Sequence, residues 1–187
     1  YERCQMYAKA HFTGDFEADF ITLNPYMGMD TLTPFLPYFK EQNKGAFVLI
    51  RTSNPGAQDI EYINTTDNRH VYNVVGEKIN TLGKEFIGEC GFSAIGGVMG
   101  CTHADEAKEV RESLDSTFFL IPGYGAQGGK AEDIALYLKE GNGGVVNASR
   151  SILLAYKKVE NGEGNFDEHS RNEALKMRND ILGAIKR

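Results

Sequence analysis

Two loops hold the residues of this sequence whose types and spacing could bind an anion. The segment IPGYGAQGGK (121–130) places Gln127 among four glycines after the apolar run TFFLI, and VVNASRSI (145–152) places Arg150 at the start of a helical pattern. Glycine lets a backbone approach a ligand closely, and arginine offers a charged fork to phosphate oxygens. The unpaired N–H groups at a helix start also attract anions. If the loops are neighbours, they predict one phosphate site to which Gln127 supplies an amide and Arg150 a charge.

Other interpretations of the glycine-rich loop are open at this point. Residues 123–128 match the Gly-x-Gly-x-x-Gly spacing of a dinucleotide-binding turn. Against this, the next strand ends on Asn147 instead of an acidic residue, and the match follows the fourth apolar run instead of the first. The loop also departs from the P-loop pattern, because Ala131 and not serine or threonine follows Lys130. A tight turn without a ligand is the remaining alternative.

Short apolar runs alternate with helical patterns along the chain. Apolar runs of this kind are typical of strands buried on both faces of a parallel sheet. The five runs are 19–23, 46–50, 93–99, 117–121 and 143–148. The helical patterns are 29–43, 103–114, 130–141 (with Gly141 as the C-cap), 149–159 and 168–187. The alternation predicts an α/β fold, either an open doubly wound sheet or a barrel, with 54–69 as a long polar connection.

Composition limits the class of protein. With 187 residues the chain can bury a core, and we expect a single domain over residues 1–187. The net charge of −6 argues against nucleic-acid binding through a broad basic face, and no apolar run is long enough to span a membrane. Cys4, Cys90 and Cys101 form no Cys-x-x-Cys pair, which favours a reducing cytoplasm and no structural metal. We expect all three to be buried or half-buried space fillers.

Two further groups of residues have ordinary structural interpretations. Asp105 and Glu106 lie where a helix should start, and a carboxylate there complements the helix dipole. Tyr7, Phe12 and Phe16 follow helical spacing and are expected in the core.

The order of five motifs resembles the orotidine 5′-monophosphate decarboxylase family, especially its longer bacterial subfamily, along nearly the whole chain. The motifs are TLNPYMGMD, LIRTSNPGA, VMGCTHADEAKEVR, FFLIPGYGAQGG and VVNASRSI. The resemblance implies a (β/α)8 TIM barrel of which this chain supplies about strands 4 to 8. It also implies a homodimer that converts orotidine 5′-monophosphate to UMP and CO2 in pyrimidine biosynthesis. Neither a metal nor an organic cofactor is implied, and neither nucleic acid nor membrane is an expected partner.

The same resemblance assigns substrate-binding roles to residues of this chain. Arg150 would hold the phosphate together with the backbone N–H groups of Ser149 and Arg150. Gln127 would reach the phosphate and close over the base, and Ser53 would bond to the pyrimidine ring and to the Gln127 amide. The remaining predicted pocket residues are Pro122 and Tyr124. Taken alone, the Ser-Asn-Pro-Gly stretch that contains Ser53 is more typical of a turn.

The catalytic motif of the family, Asp-x-Lys-x-x-Asp, does not occur in residues 1–187. The resemblance places it upstream of residue 1, so no catalytic residue is predicted in this chain. Five strands alone would leave a parallel edge and an apolar interior uncovered, and we expect residues 1–187 alone neither to fold stably nor to catalyse. A non-catalytic phosphate- or nucleotide-binding module, or another phosphate-binding barrel lyase or isomerase, is the alternative function.

Overall fold

Five parallel strands form one sheet in a computed structural model that describes residues 2–101, 104–125 and 128–186. Each apolar run of the sequence overlaps one strand. The strands are β1 (Phe20–Leu23), β2 (Gly45–Arg51), β3 (Ile95–Met99), β4 (Phe119–Pro122) and β5 (Gly144–Asn147). Their order across the sheet is β1-β2-β3-β4-β5, so that every strand pairs in parallel with the next one along the chain.

This strand order decides between the two architectures that the sequence left open. A doubly wound sheet reverses its strand order at a switch point, and dinucleotides bind there. The described sheet has no such reversal between β1 and β5. The Gly-x-Gly-x-x-Gly interpretation is therefore wrong, because the loop after β4 lies at no switch point.

Seven α-helices flank and connect the strands in the described residues. They are α1 (Glu2–Phe12), α2 (Leu36–Glu41), α3 (Val71–Gly83), α4 (Ala107–Ser113), α5 (Ala131–Tyr137), α6 (Ser149–Leu153) and α7 (Phe166–Ile185). No helix within the described ranges is long and apolar enough to cross a bilayer.

Four predicted helices are shorter than expected. The pattern over 103–114 becomes a 3-10 turn, Ala104–Glu106, followed by α4, and the pattern over 149–159 becomes α6 followed by a 3-10 turn, Ala155–Lys158. The pattern over 29–43 becomes a 3-10 helix, Met29–Phe35, followed by α2. Proline lacks an N–H and is accepted in the first turn of a helix, so Pro37 fixes the late start of α2. The pattern over 130–141 ends as α5 at Tyr137, and Gly141 (φ +82°) lies in the following turn instead of capping the helix.

The polar connection after β2 is more ordered than expected. It contains a 3-10 helix, Pro55–Asp59, and an antiparallel bridge between Asn64 and His70. Helix α3, which the sequence analysis did not anticipate, begins directly after it, and the Asn73 side chain accepts a hydrogen bond from the backbone N–H of His70. The stretch 54–69 therefore leads into a helix that covers β2 and β3.

The two faces of the sheet have different surroundings. On the covered face, side chains such as Val48 and Phe119 are fully buried beneath the helices. On the open face, the Phe47 ring lies between those of Phe20 and Phe118, with ring centroids 5.1 and 6.4 Å apart, and Phe20 stays 45% exposed. An apolar face of this kind is what the interior of a barrel looks like when part of its wall is absent.

Two expectations about the core are partly wrong. Phe12 is buried, but Tyr7 is largely exposed and Phe16 is 99% exposed, because helix α1 ends at Phe12 and Phe16 lies in the turn beyond it. Among the cysteines, Cys101 is buried and Cys4 half-buried, whereas Cys90 is exposed.

Candidate functional site

The loops that follow β4 and β5 lie side by side. Parallel strands end at the same edge of a sheet, and the register pairs Pro122, the last residue of β4, with Asn147, the last residue of β5. Between the two loops lies a cavity of about 150 Å³. Its lining consists of Pro122, Gly123, Tyr124, Asn147, Ala148, Ser149, Arg150 and Ser151. Four of the six predicted substrate-binding residues thus meet around one cavity.

The β5 side of the cavity is the start of helix α6. Ala148 is the N-cap, and its carbonyl accepts the N–H of Ile152 and the hydroxyl of Ser151. The N–H groups in the first turn of a helix have no acceptor within the helix. Ser149 and Arg150 are exposed, so the backbone donors and the guanidinium are accessible to an anion in the cavity.

The β4 side is the glycine-rich loop, whose base is closed by backbone hydrogen bonds. The N–H of Gly129 donates to Gly123 and the N–H of Gly125 donates to Gly129. Gly123 and Gly125 have φ values of +107° and +70°, in the region that favours glycine. A side chain at Gly129 would collide with the sulfur of Cys101, so glycine is required there for close packing. Gln127 lies outside the described residues.

Ser53 lies at the same edge but not on this cavity. It follows β2, and its backbone comes so close to Gly100 that a side chain at Gly100 would approach its Cα within 3.1 Å. Its neighbour Thr52 is fixed by Glu61, which accepts the Thr52 N–H at 2.8 Å and the hydroxyl at 2.7 Å. The structure therefore holds Ser53 firmly between the ends of β2 and β3, while its predicted bond to Gln127 falls outside the described residues.

Behind these loops, a fully buried arginine forms an ion pair with a partly buried glutamate, and this pair was not predicted from the sequence. Arg51 is fully buried, and its guanidinium donates to Glu106 at 2.5 Å, to the carbonyl of Gly100 at 3.2 Å and to the hydroxyl of Tyr137. Glu106 also accepts the hydroxyl of Tyr72 at 2.7 Å. We call Arg51, Glu106, Tyr72 and Tyr137 the Arg51 cluster. A charged residue at the end of the apolar run FVLI was its only signal in the sequence.

A bulge brings Arg51 onto the covered face. The register between β2 and β3 shifts between Leu49 and Arg51, so Ile50 and Arg51 both reach the helix layer. Burial acts to lower the pKa of Arg51, but Tyr137, Tyr62 and Glu106 act against it, and the pKa is raised overall. The guanidinium is therefore charged, and its charge is compensated within the fold.

The chain is similar to known proteins along nearly its whole length. Residues 4–164 match the model of the orotidine 5′-phosphate decarboxylase / HUMPS family. The chain is 63% identical to an orotidine 5′-phosphate decarboxylase from Clostridium tetani over 97% of its own length. It is 65% identical to the Clostridium perfringens (strain SM101) protein of the same name, again over 97% of its length.

This chain belongs to the orotidine 5′-phosphate decarboxylase / HUMPS family. It spans 62% of the length of the C. tetani relative. Its fold is similar to the structure of Leishmania donovani OMP decarboxylase, with a TM-score of 0.69 and 26% identity, over 94% of this chain and 63% of that one. The five strand units are thus part of a TIM barrel, and the expected fold class is confirmed.

Family membership explains the open face of the sheet. In a (β/α)8 barrel the strands close around an interior filled by side chains. The open face that carries Phe20, Phe47 and Phe118 corresponds to the inner face of such a barrel. The cavity at Arg150 is then at the carboxyl-terminal rim, where the active sites of these barrels lie.

Proposed function

We propose that the natural protein is an orotidine 5′-phosphate decarboxylase and that this chain supplies the phosphate end of its substrate site. The observation that supports this most is the cavity shared by the β4 and β5 loops, with Arg150 and Ser149 on one wall and Pro122 and Tyr124 on the other. In (β/α)8 barrels the loops after the last two strands commonly form the phosphate site. The identity of the Clostridium relatives supports the choice of reaction.

Arg150 is the main phosphate ligand in this proposal. Its guanidinium pairs with two phosphate oxygens, and the first N–H groups of α6 add neutral donors. The phosphate does not react, so its binding energy serves to orient the rest of the substrate and to exclude water from the reacting carbon. Gln127 adds an amide donor to the same phosphate.

Ser53 contacts the pyrimidine ring in this proposal. It belongs to a loop that Glu61 fixes through Thr52, and Gly100 allows the loop to sit directly against the end of β3. A preorganised hydroxyl of this kind orients a ring without paying for loop ordering at each turnover. In this proposal Ser53 contacts the base, while Arg150 binds the phosphate at the opposite end of the nucleotide.

The decarboxylation itself needs a group that residues 1–187 do not contain. The bond from the pyrimidine to the carboxylate breaks, CO2 leaves, and the electron pair stays on the ring carbon until it takes a proton. In the family pattern the lysine of Asp-x-Lys-x-x-Asp gives that proton, and in our proposal this motif belongs to the rest of the natural polypeptide. We further propose a cytoplasmic homodimer with no metal or organic cofactor, in which residues 1–187 belong to a single domain.

The test is an assay of the natural full-length protein with orotidine 5′-monophosphate. We expect stoichiometric UMP and CO2, with inhibition by UMP but much weaker inhibition by ribose 5-phosphate, which lacks the base. Absence of UMP formation together with turnover of a sugar phosphate would favour another barrel lyase or isomerase. Binding of UMP with no turnover of any of these compounds would favour a non-catalytic nucleotide-binding module.

A further inference from the structure

The C-terminal helix reaches the wall of the candidate phosphate cavity through one hydrogen bond. Tyr124 lines that cavity, and its hydroxyl donates to Oδ2 of Asp180 on α7 at 2.6 Å. Burial, and then the hydrogen bond to Asp180, raise the pKa of Tyr124. The hydroxyl therefore keeps its proton, and that proton is directed at Asp180 and not into the cavity.

Within residues 123–125 of the glycine-rich loop, Tyr124 has the side chain that can anchor the loop to the rest of the fold. Its neighbours Gly123 and Gly125 both have positive φ values and offer no side chain for packing. Backbone bonds among Gly123, Gly125 and Gly129 close the base of the loop, but they do not tie it to any helix. The hydrogen bond to Asp180 makes that connection.

Asp180 is exposed, but it lies on a helix whose adjacent face is anchored in the core. The next residue, Ile181, is buried in the core, and Met177 and Ala184, one turn before and after it, pack against the same core. Residues three and four apart lie on one face of a helix, so α7 is seated along this side. A carboxylate next to such an anchor can hold a loop in one position.

We propose that Asp180 is a positioning residue for phosphate binding, acting through the Tyr124 hydroxyl to hold the β4 wall of the cavity at its distance from Arg150. This inference rests on the proposed function. It assigns Tyr124 a role as a wall that gives no hydrogen bond to the phosphate. It also makes the last helix of the chain part of the substrate site without any contact to substrate.

The test compares Asp180→Ala, Tyr124→Phe and the double variant in the natural full-length protein. We expect each single variant to raise KM for orotidine 5′-monophosphate about five- to tenfold, with kcat within about twofold, since a hydrogen bond to a charged group is lost but the chemistry is untouched. The double variant should be no worse than the singles, because both remove the same bond. Asp167→Ala, on the exposed first turn of α7, is the matched control and should leave KM unchanged.

Two outcomes would overturn the inference. Unchanged KM in both single variants would show that the bond does not position the loop. Effects that multiply in the double variant would show that Tyr124 and Asp180 act separately. Melting temperatures near wild type in all variants are expected and separate positioning from misfolding. If the wild-type protein itself forms no UMP, the proposed function is wrong. If the wild-type protein is active and the variants have unchanged KM, only the positioning role is wrong.

Discussion

Two arginines stand at the same edge of the sheet in opposite surroundings. Arg51, at the end of β2, is fully buried and donates to Glu106, Tyr137 and the carbonyl of Gly100. Arg150, just after β5, is exposed on a cavity of about 150 Å³. Burial therefore distinguishes an arginine enclosed by the fold from the one that we propose as the phosphate ligand.

The difference follows from what each charge would lose on binding a ligand. Arg51 has already lost its water and has protein acceptors instead, so an anion would have to displace Glu106. Arg150 is hydrated and can exchange that water for phosphate oxygens at little cost. Removing Arg51 should thus damage the fold, and removing Arg150 should damage binding.

The largest effect is expected for Arg150→Ala. We expect kcat/KM for orotidine 5′-monophosphate to fall at least about a thousandfold, or about 4 kcal/mol, because the phosphate loses its charged ligand. Turnover at saturating substrate should persist, and the melting temperature should stay near that of wild type. Steady-state kinetics and calorimetry on the full-length protein measure both. A kcat/KM within threefold of wild type would show that the phosphate binds elsewhere.

Arg51→Ala should show the reverse pattern. Glu106 would then be left without its cation in a partly buried position, which costs about 3–5 kcal/mol of unfolding free energy. Denaturant unfolding of the full-length protein measures this loss. The variant Arg51→Met with Glu106→Leu removes both charges and keeps apolar volume, and combined with Tyr72→Phe, which removes the hydroxyl that would lose its acceptor, it should recover part of the stability. A loss of activity at unchanged stability in Arg51→Ala would instead place Arg51 in the binding machinery.

The contrast between the two arginines also marks how far the sequence could be interpreted. The position of Arg150 beside the glycine-rich loop was predictable, because that loop and a helix start follow consecutive strands and parallel strands end together. Arg51 was not, because its burial depends on a bulge in β2 and on Tyr72 and Tyr137 from two distant helices. Sequence spacing reports local neighbours, whereas this cluster is built by packing between elements that lie far apart in the chain.

The difference between local sequence pattern and long-range packing also explains which strands and helices could be predicted. The five strands were predictable from their apolar runs. Helix α3 was not predicted, because it directly follows the polar stretch 54–69 and contains Asn73, Gly76 and Asn80, residue types that disfavour a helix interior. The early end of α5 was not predicted, because Gly141 is a plausible helix stop. In the structure the helix ends at Tyr137, whose hydroxyl accepts a hydrogen bond from Arg51, and Leu138 is already extended.

Tyr72→Phe tests the second hydrogen bond that Glu106 accepts within the Arg51 cluster. It removes one hydroxyl donor from Glu106 but leaves the ion pair with Arg51, so we expect a smaller loss of about 1–2 kcal/mol in unfolding free energy. Tyr26→Phe, at a largely exposed ring, is the matched control and should be neutral. Equal stability of Tyr72→Phe and wild type would mean that Arg51 alone satisfies Glu106.

Cys101 lies between the two arginine regions, and its effect is confined to high pH and absent at neutral pH. It lies two residues after β3 in a buried position against Gly129, and burial raises the pKa of its thiol to about 11 from the ordinary value of 9.0. The folded protein therefore holds this proton more tightly than the unfolded chain between pH 9 and 11. Stability that depends on the neutral thiol is present below pH 9 and is lost as the pH rises towards 11.

We expect wild type to lose up to roughly 2 kcal/mol more than Cys101→Ala across that window, because the variant lacks the titrating group. Denaturant unfolding at several pH values gives the slope of unfolding free energy against pH for each protein. Taking the difference between the two slopes cancels the titration of other groups and the constant packing loss of the variant. Cys90→Ala, at an exposed thiol, should follow the wild-type slope. Parallel curves for wild type and Cys101→Ala would mean that water reaches the Cys101 sulfur in the folded protein. The packing of Gly129 on Cys101 would then not exclude water from the base of the glycine-rich loop.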